Sequence, residues 1–258
     1  MQEFHEFANR LADKAGEIIR KYYRQPMTVD KKDDESPVTI ADREVEHVLR
    51  EMIEAAYPED GILGEEYDRK ESANGRTWVI DPIDGTKSFV IGRPTFGTLV
   101  ALCENDIPVF GMIDQPILRE RWIGDGKTTT MNGESVRTRE CSNVYDAVIG
   151  ATTPMMFDKL SEYDRAYEIF EKDQSRMVWG GDCYMYGLIA SGYMDVAFEQ
   201  NLSPYDFAAL IPIIKGAGGH ISDWRGDELS LNSVGKVIAV GDKSLWPALE
   251  RIIRKSPY

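Results

Sequence analysis

Carboxylates at the ends of apolar runs offer the most chemistry in this sequence. The β-type run Trp78-Val79-Ile80 ends on Asp81, Pro82 cannot donate to a further ladder bond, and Asp84-Gly85-Thr86 has the form of a turn opening a helix. Two acids three residues apart at a strand end can hold a hard cation such as Mg2+, which takes oxygen ligands in octahedral array. Gly85 lets backbone N–H groups approach an anion, and a helix starting there adds its dipole to the attraction for phosphate. An isolated Asp-Gly pair is ordinarily only a turn, so the case rests on what else converges on it. Gly64-Glu65-Glu66 closes a second apolar run; Glu65 is the candidate ligand there, and Glu66 reads as a solvated acid. Thr39-Ile40-Ala41-Asp42 and Ser203-Pro204-Tyr205-Asp206 both have the form of a capping box. Taken singly, Asp42 and Asp206 are therefore better read as helix caps than as ligands.

Those acids need elements to bring them together. Phe4, Phe7, Leu11, Ala15, Ile18 and Tyr22 recur at helical spacing and predict an amphipathic opening helix; Val45, Val48, Leu49, Met52 and Ile53 predict a second. Between them, 24–38 is polar and reads as a loop or hairpin carrying Lys31 and Lys32. Short apolar runs at 62–64, 77–80, 96–102, 109–113 and 121–123 predict a strand-rich middle. Further on, helices are predicted at 163–171, 184–190 and 203–215, with strands at 195–198 and 236–240 before a last helix. The sum is a mixed α/β chain in layers.

With 258 residues the chain is one large domain or two joined halves. Its formal charge of -14 argues against nucleic acid or an anionic membrane as partner, since both recruit Lys and Arg. A small phosphate ester remains compatible if cations stand between carboxylate and phosphate. Three scattered cysteines, Cys103, Cys141 and Cys183, form no CxxC pair and suit a reducing cytoplasm. The charged N-terminus does not read as a signal peptide, and no apolar run reaches membrane-spanning length.

The segment WVIDPIDGTKSF resembles the DPxDGT motif of the inositol monophosphatase family, and GEE, SPVTIAD and SPYDFAALIPIIKGAGG resemble its other characteristic segments in the right order. SFVIGRPTFGTLVAL, ERWIG, GGDCYMYGLIASG and LSPYDFAALIPI are most similar to the histidinol-phosphatase branch. The resemblance implies a layered αβαβα sandwich, with a metal-binding half over about 1–145 and a second half over about 146–258 closing the cleft. It implies two or three Mg2+ ions on Glu65, Asp81, Asp84, Asp206 and the Ile83 carbonyl, with Asp42 near the weakest site. Gly85 and Thr86 would contact phosphate, while Glu65, Thr86 and Asp42 would orient water for in-line attack; the loop lysine is open between Lys31 and Lys32. A homodimer is implied as well.

For specificity, Asp182 matches a substrate-facing position that is small in inositol phosphatases, and Glu199 matches a substrate-contacting acid seven residues before Asp206. Two carboxylates beside a phosphate site suit the ammonium and imidazole of histidinol phosphate better than a neutral polyol. Otherwise Asp182 is an Asx turn after two glycines and Glu199 a solvated strand-end acid. An inositol- or sugar-phosphate phosphatase is the alternative activity, and a non-catalytic binding relative is the alternative from another class. His5, His47 and His220 offer no competing catalytic group, and Met155, Met156, Tyr184 and Tyr186 read as core or subunit contact.

Overall fold

The computed structural model describes residues 2–26, 29–31, 37–157 and 176–254. Helix α1 (Gln2–Tyr22) leads into a hairpin of β1 (Val29–Lys31) and β2 (Pro37–Thr39), then helix α2 (Ile40–Ala56). There follow β3 (Gly61–Gly64), β4 (Arg76–Asp84), the short helix α3 (Thr86–Val90), β5 (Gly97–Glu104), β6 (Ile107–Gln115), β7 (Glu120–Gly124), β8 (Thr129–Met131) and β9 (Glu134–Ser135). The seven strands β3 to β9 form one sheet in sequence order, with β3 and β4 parallel and the remaining pairs antiparallel.

The rest of the chain supplies β10 (Ile149–Ala151), β11 (Met177–Trp179), α4 (Tyr184–Ala190), β12 (Val196–Glu199), α5 (Pro204–Phe207), α6 (Leu210–Gly216), β13 (His220–Ser222), β14 (Val237–Val240) and α7 (Trp246–Arg254). Its five strands form a second sheet in the order β11-β10-β12-β14-β13. The helix expected at 163–171 lies outside the described residues.

Period-two alternation along the strands decides the layering. On β4 and β5, Trp78, Ile80, Val100 and Leu102 face α1 and α2, packing with Phe7, Leu11, Val45 and Leu49. Their neighbours Val79, Leu99, Ala101 and Cys103 face the other way, onto α4 and α6. The second sheet repeats the division: Val237 and Ala239 join the α4/α6 core, while Ile238 and Val240 pack with Leu249 and Ile253 of α7. Helices and sheets therefore alternate as αβαβα, the order that the family resemblance implies.

One expected element is different. The single helix over 203–215 is two, broken at Ala208-Ala209. Pro212 explains the break: it has no N–H to donate to the Ala208 carbonyl, and its ring crowds that carbonyl. The freed turn fits tightly against the first sheet. A Cβ on Gly111 of β6 would lie 2.0 Å from the Ala209 carbonyl oxygen, so only glycine admits this approach. That contact fixes α5 over the end of β4.

Candidate active site and metal centre

Asp81 and Asp84, three residues apart, would point to opposite faces of a regular strand. They do not, because β4 is bulged between them: Asp81 pairs with Leu99 but Asp84 pairs with Gly97, three steps against two. Pro82 leaves no donor there to pair, and its carbonyl instead accepts from Thr98 Oγ1 at 2.9 Å. The parity shift is visible in the core, where Ile80 and Ile83 both pack beneath α1 and α2. Asp81 and Asp84 thus share the opposite side, and Asp206 meets them there. One carboxylate oxygen from each of the three lies within 4.8 Å of the others.

Asp206 holds its place by being a cap. The Ser203 N–H donates to Asp206 Oδ2 at 2.6 Å in a capping box with Pro204 at the first helical position. Asp42 is built alike, its Oδ2 accepting from the Thr39 N–H at 2.8 Å and the Thr39 hydroxyl at 2.5 Å. Its Oδ1 faces the Thr86 hydroxyl at 3.4 Å, which also lies 3.2 Å from the Ile83 carbonyl. Both aspartates serve as caps, as read from the sequence, and capping is also what aims them at the end of β4.

A cleft of about 210 Å³ opens beside the cluster, lined by Glu65, Asp84, Gly85, Thr86, Asp182, Glu199 and Asp206 among others. Gly85 is left-handed at φ 82, which α3 needs at its start. A Cβ there would also come within 2.8 Å of the Asp182 carboxyl carbon. Asp182, itself left-handed at φ 44, accepts from the Ser88 hydroxyl at 2.6 Å and the Thr95 hydroxyl at 2.8 Å. Glu199 is no solvated acid: it is 3% exposed, and accepts from the Thr152 N–H at 3.0 Å and the Tyr186 hydroxyl at 2.8 Å. Glu66 is half-buried rather than solvated. Lys32 and the Lys31 side chain lie outside the described residues.

Several contributors were not singled out from sequence. The Cys183 N–H donates to Asp84 Oδ2 at 2.6 Å and so fixes that carboxylate. Tyr186 is core, as expected, yet its hydroxyl reaches the cleft. Ser88 and Thr95 lie seven residues apart in SFVIGRPTFGTLVAL, and nothing in that spacing tells that both meet Asp182.

The electrostatics describe a site that wants a cation. Burial pushes Asp81 and Asp84 well above the usual carboxylate range, and Glu65, Asp206 and Asp182 add like-charge repulsion. Burial likewise raises Asp206 to about 7, Glu199 to about 7 and Asp42 to about 6. Asp81 Oδ1 is buried without a hydrogen-bond donor. An all-oxygen donor set with one such atom fits a hard divalent ion, which removes the repulsion and uses that oxygen. His5, His47 and His220 lie elsewhere: His5 packs edge-on to Phe110, His47 beside Glu51, and His220 on Trp246. No helix among the described residues is long and apolar enough to cross a membrane.

Residues 1–257 match the model of the inositol monophosphatase family. The chain is 44% identical over 255 residues to a bifunctional phosphatase, IMPL2, chloroplastic, of Arabidopsis thaliana, covering 95% of this chain and 73% of that one. It is 38% identical to a histidinol-phosphatase of Chlorobaculum parvum, covering 91% of each. Among solved structures, an inositol monophosphatase from Zymomonas mobilis superposes with a TM-score of 0.89 at 45% identity, covering 98% of both chains.

Proposed function

Because this chain belongs to the inositol monophosphatase family, and so is a phosphomonoesterase, we propose that it hydrolyses histidinol phosphate to histidinol and phosphate with two or three Mg2+ ions. The observation that carries the substrate assignment is the pair of carboxylates, Asp182 and Glu199, lining the same cleft as the acidic cluster. Burial raises Glu199 to about 7, with the Asp182 charge adding to the rise and the hydrogen bonds from Thr152 and Tyr186 only partly offsetting it. An ammonium or imidazolium group beside it would balance its charge, and a neutral polyol would not.

The metal ligands in this reading are Glu65, Asp81, Asp84, Asp206 and the Ile83 carbonyl. When bound, Mg2+ supplies charge to polarise the phosphoryl oxygens, acidity to a water and stabilisation to the leaving alkoxide. Gly85 and Thr86 receive the phosphate, the glycine because backbone can come close where no Cβ stands. The Thr86 hydroxyl has one hydrogen and two acceptors in reach, Asp42 Oδ1 and the Ile83 carbonyl, so its free lone pair can accept from the attacking water. Glu65 accepts the water's other hydrogen and completes the in-line geometry. The half of the chain up to about 145 supplies the cluster with one exception, Asp206. The half from about 146 supplies the walls that select the leaving group.

The competing activity is an inositol- or sugar-phosphate phosphatase, favoured by the resemblance to the Zymomonas mobilis enzyme. Asp182→Asn and Glu199→Gln separate the two. A desolvated charge-assisted hydrogen bond contributes about 1.5–3 kcal/mol, so each variant should lose about 10- to 100-fold in kcat/KM on histidinol phosphate. Inositol 1-phosphate should suffer far less. Equal losses on both substrates would assign these acids to the scaffold or the metal site, and no loss on either would favour the sugar-phosphate reading. We also expect a cytoplasmic homodimer, checked by sedimentation at micromolar protein for twice the 29.2 kDa chain mass.

A further inference from the structure

We infer that Glu46, on α2, is a positioning residue that sets Glu65 in the metal site, an inference that rests on reading Glu65 as a ligand. Glu46 is completely buried on the helix that carries Asp42 one turn earlier. A buried carboxylate needs partners, and Glu46 finds two of them in the chain just past Glu65. Its Oε2 accepts from the Glu66 N–H at 2.7 Å, and its Oε1 from the Tyr67 N–H at 3.3 Å.

Arg50, one turn further along α2, completes a clamp. Its Nε donates to Glu46 Oε1 at 2.8 Å and its Nη2 to the Tyr67 carbonyl at 2.9 Å. The Tyr67 hydroxyl returns to the Arg43 carbonyl at 3.2 Å. Three successive turns of one helix thus grip the residues immediately after Glu65. On the other side of Glu65, Gly64 makes room for the grip: a Cβ there would fall 1.9 Å from Glu46 Oε1. Glu65 is therefore held between a glycine that admits the Glu46 carboxylate and two backbone N–H groups bound to it. Asp42 and Glu46 are four residues apart on one helix face, so α2 sets the spacing between Asp42 and Glu65 as a rigid body. Neither Glu46 nor Arg50 lines the cleft that Glu65 enters.

Residues that orient metal ligands are worth about 10- to 100-fold in metal affinity. The test compares Glu46→Ala, Glu46→Gln, Gly64→Ala and Glu65→Gln. Mn2+ affinity is read from the paramagnetic resonance of free Mn2+, melting is followed by circular dichroism, and kcat is measured at saturating metal. Glu46→Ala and Gly64→Ala should bind Mn2+ about 10- to 100-fold more weakly, yet approach wild-type kcat once metal saturates. Glu46→Gln keeps one acceptor oxygen and should show a smaller loss in the same direction; it supplies the reading if Glu46→Ala fails to fold. Glu65→Gln should lose both affinity and saturated kcat. A purely structural Glu46 would lower the melting temperature and leave Mn2+ affinity unchanged. Wild-type affinity in the Glu46 variants beside a weakened Glu65→Gln would overturn the positioning role alone. Wild-type affinity in Glu65→Gln would overturn the ligand reading and this inference with it.

Discussion

Asn in place of Asp84 should leave a folded protein that releases phosphate about a thousand-fold more slowly, the equivalent of about 4 kcal/mol. The amide has the shape of the carboxylate and an oxygen that can still accept from the Cys183 N–H, so the fold keeps its local contact. What disappears is the charge that makes the three-aspartate cluster attractive to a divalent ion. Circular dichroism and phosphate release in saturating magnesium are the measurements, and near wild-type turnover would sink the ligand assignment. Asp206→Asn sharpens the test, because Asn caps a helix about as well as Asp. A variant melting within a degree or two of wild type, but inactive, separates the ligand role from the cap. Activity and melting falling together would mean that the cap alone matters.

The second large effect is on stability, and its sign follows from proton linkage. Asp206 rises from an ordinary 3.8 to about 7 in the folded chain, and Asp81 and Asp84 also rise, chiefly through burial. The native state therefore holds more protons than the unfolded chain between those limits, and ∂ΔG/∂pH of unfolding is negative there. Metal-free protein should lose stability as pH climbs from about 4 through about 7, opposite to the behaviour of salt-bridged carboxylates. Magnesium competes with those protons, so its stabilisation should grow with pH. At a hundred times its dissociation constant a ligand adds about 2.7 kcal/mol, or about 5–11 °C in melting temperature for a chain of this size. Scans with chelator and with magnesium should differ by that much at pH 8 and by clearly less at pH 5.5. A difference independent of pH would show that the buried acids are not where the metal binds.

The sequence carries the framework of the site better than its walls. Asp81, Asp84 and Asp206 each sit on a local signal, a strand end, a turn glycine and a capping box, but for Asp206 that signal alone reads as a cap, and it is the resemblance to the family's motifs that joins the three as ligands. α1 and α2 were legible from periodicity because each buries a single stripe against a sheet. The bulge was less so. Pro82 announces lost pairing, but an extra residue is a relation between β4 and β5, and neither strand contains it alone. The break at Ala208-Ala209 was within reach, since Pro212 stands in the run; the strength of the apolar pattern around it argued for one continuous helix. Glu199 is marked out by its match to a family position seven residues before Asp206, yet its burial under Tyr186 and Thr152 depends on β10, α4 and β12 coming together. Glu46 gave no signal: on a surface helix rich in acids, one glutamate facing inward looks like its neighbours until the partner loop is in place.

The bulge in β4 also ties the site to a pairing rather than to a spacing. In a pleated strand, side is a matter of odd and even, and the added residue changes the count between Asp81 and Asp84 by one. Regular pairing over the same four residues, without the bulge, would send one carboxylate to each side of the sheet, the second into the apolar layer beneath α1 and α2 where Ile83 now packs. A substitution at 82 or 83 that let β4 pair without its bulge would therefore part the two carboxylates while leaving both in the sequence.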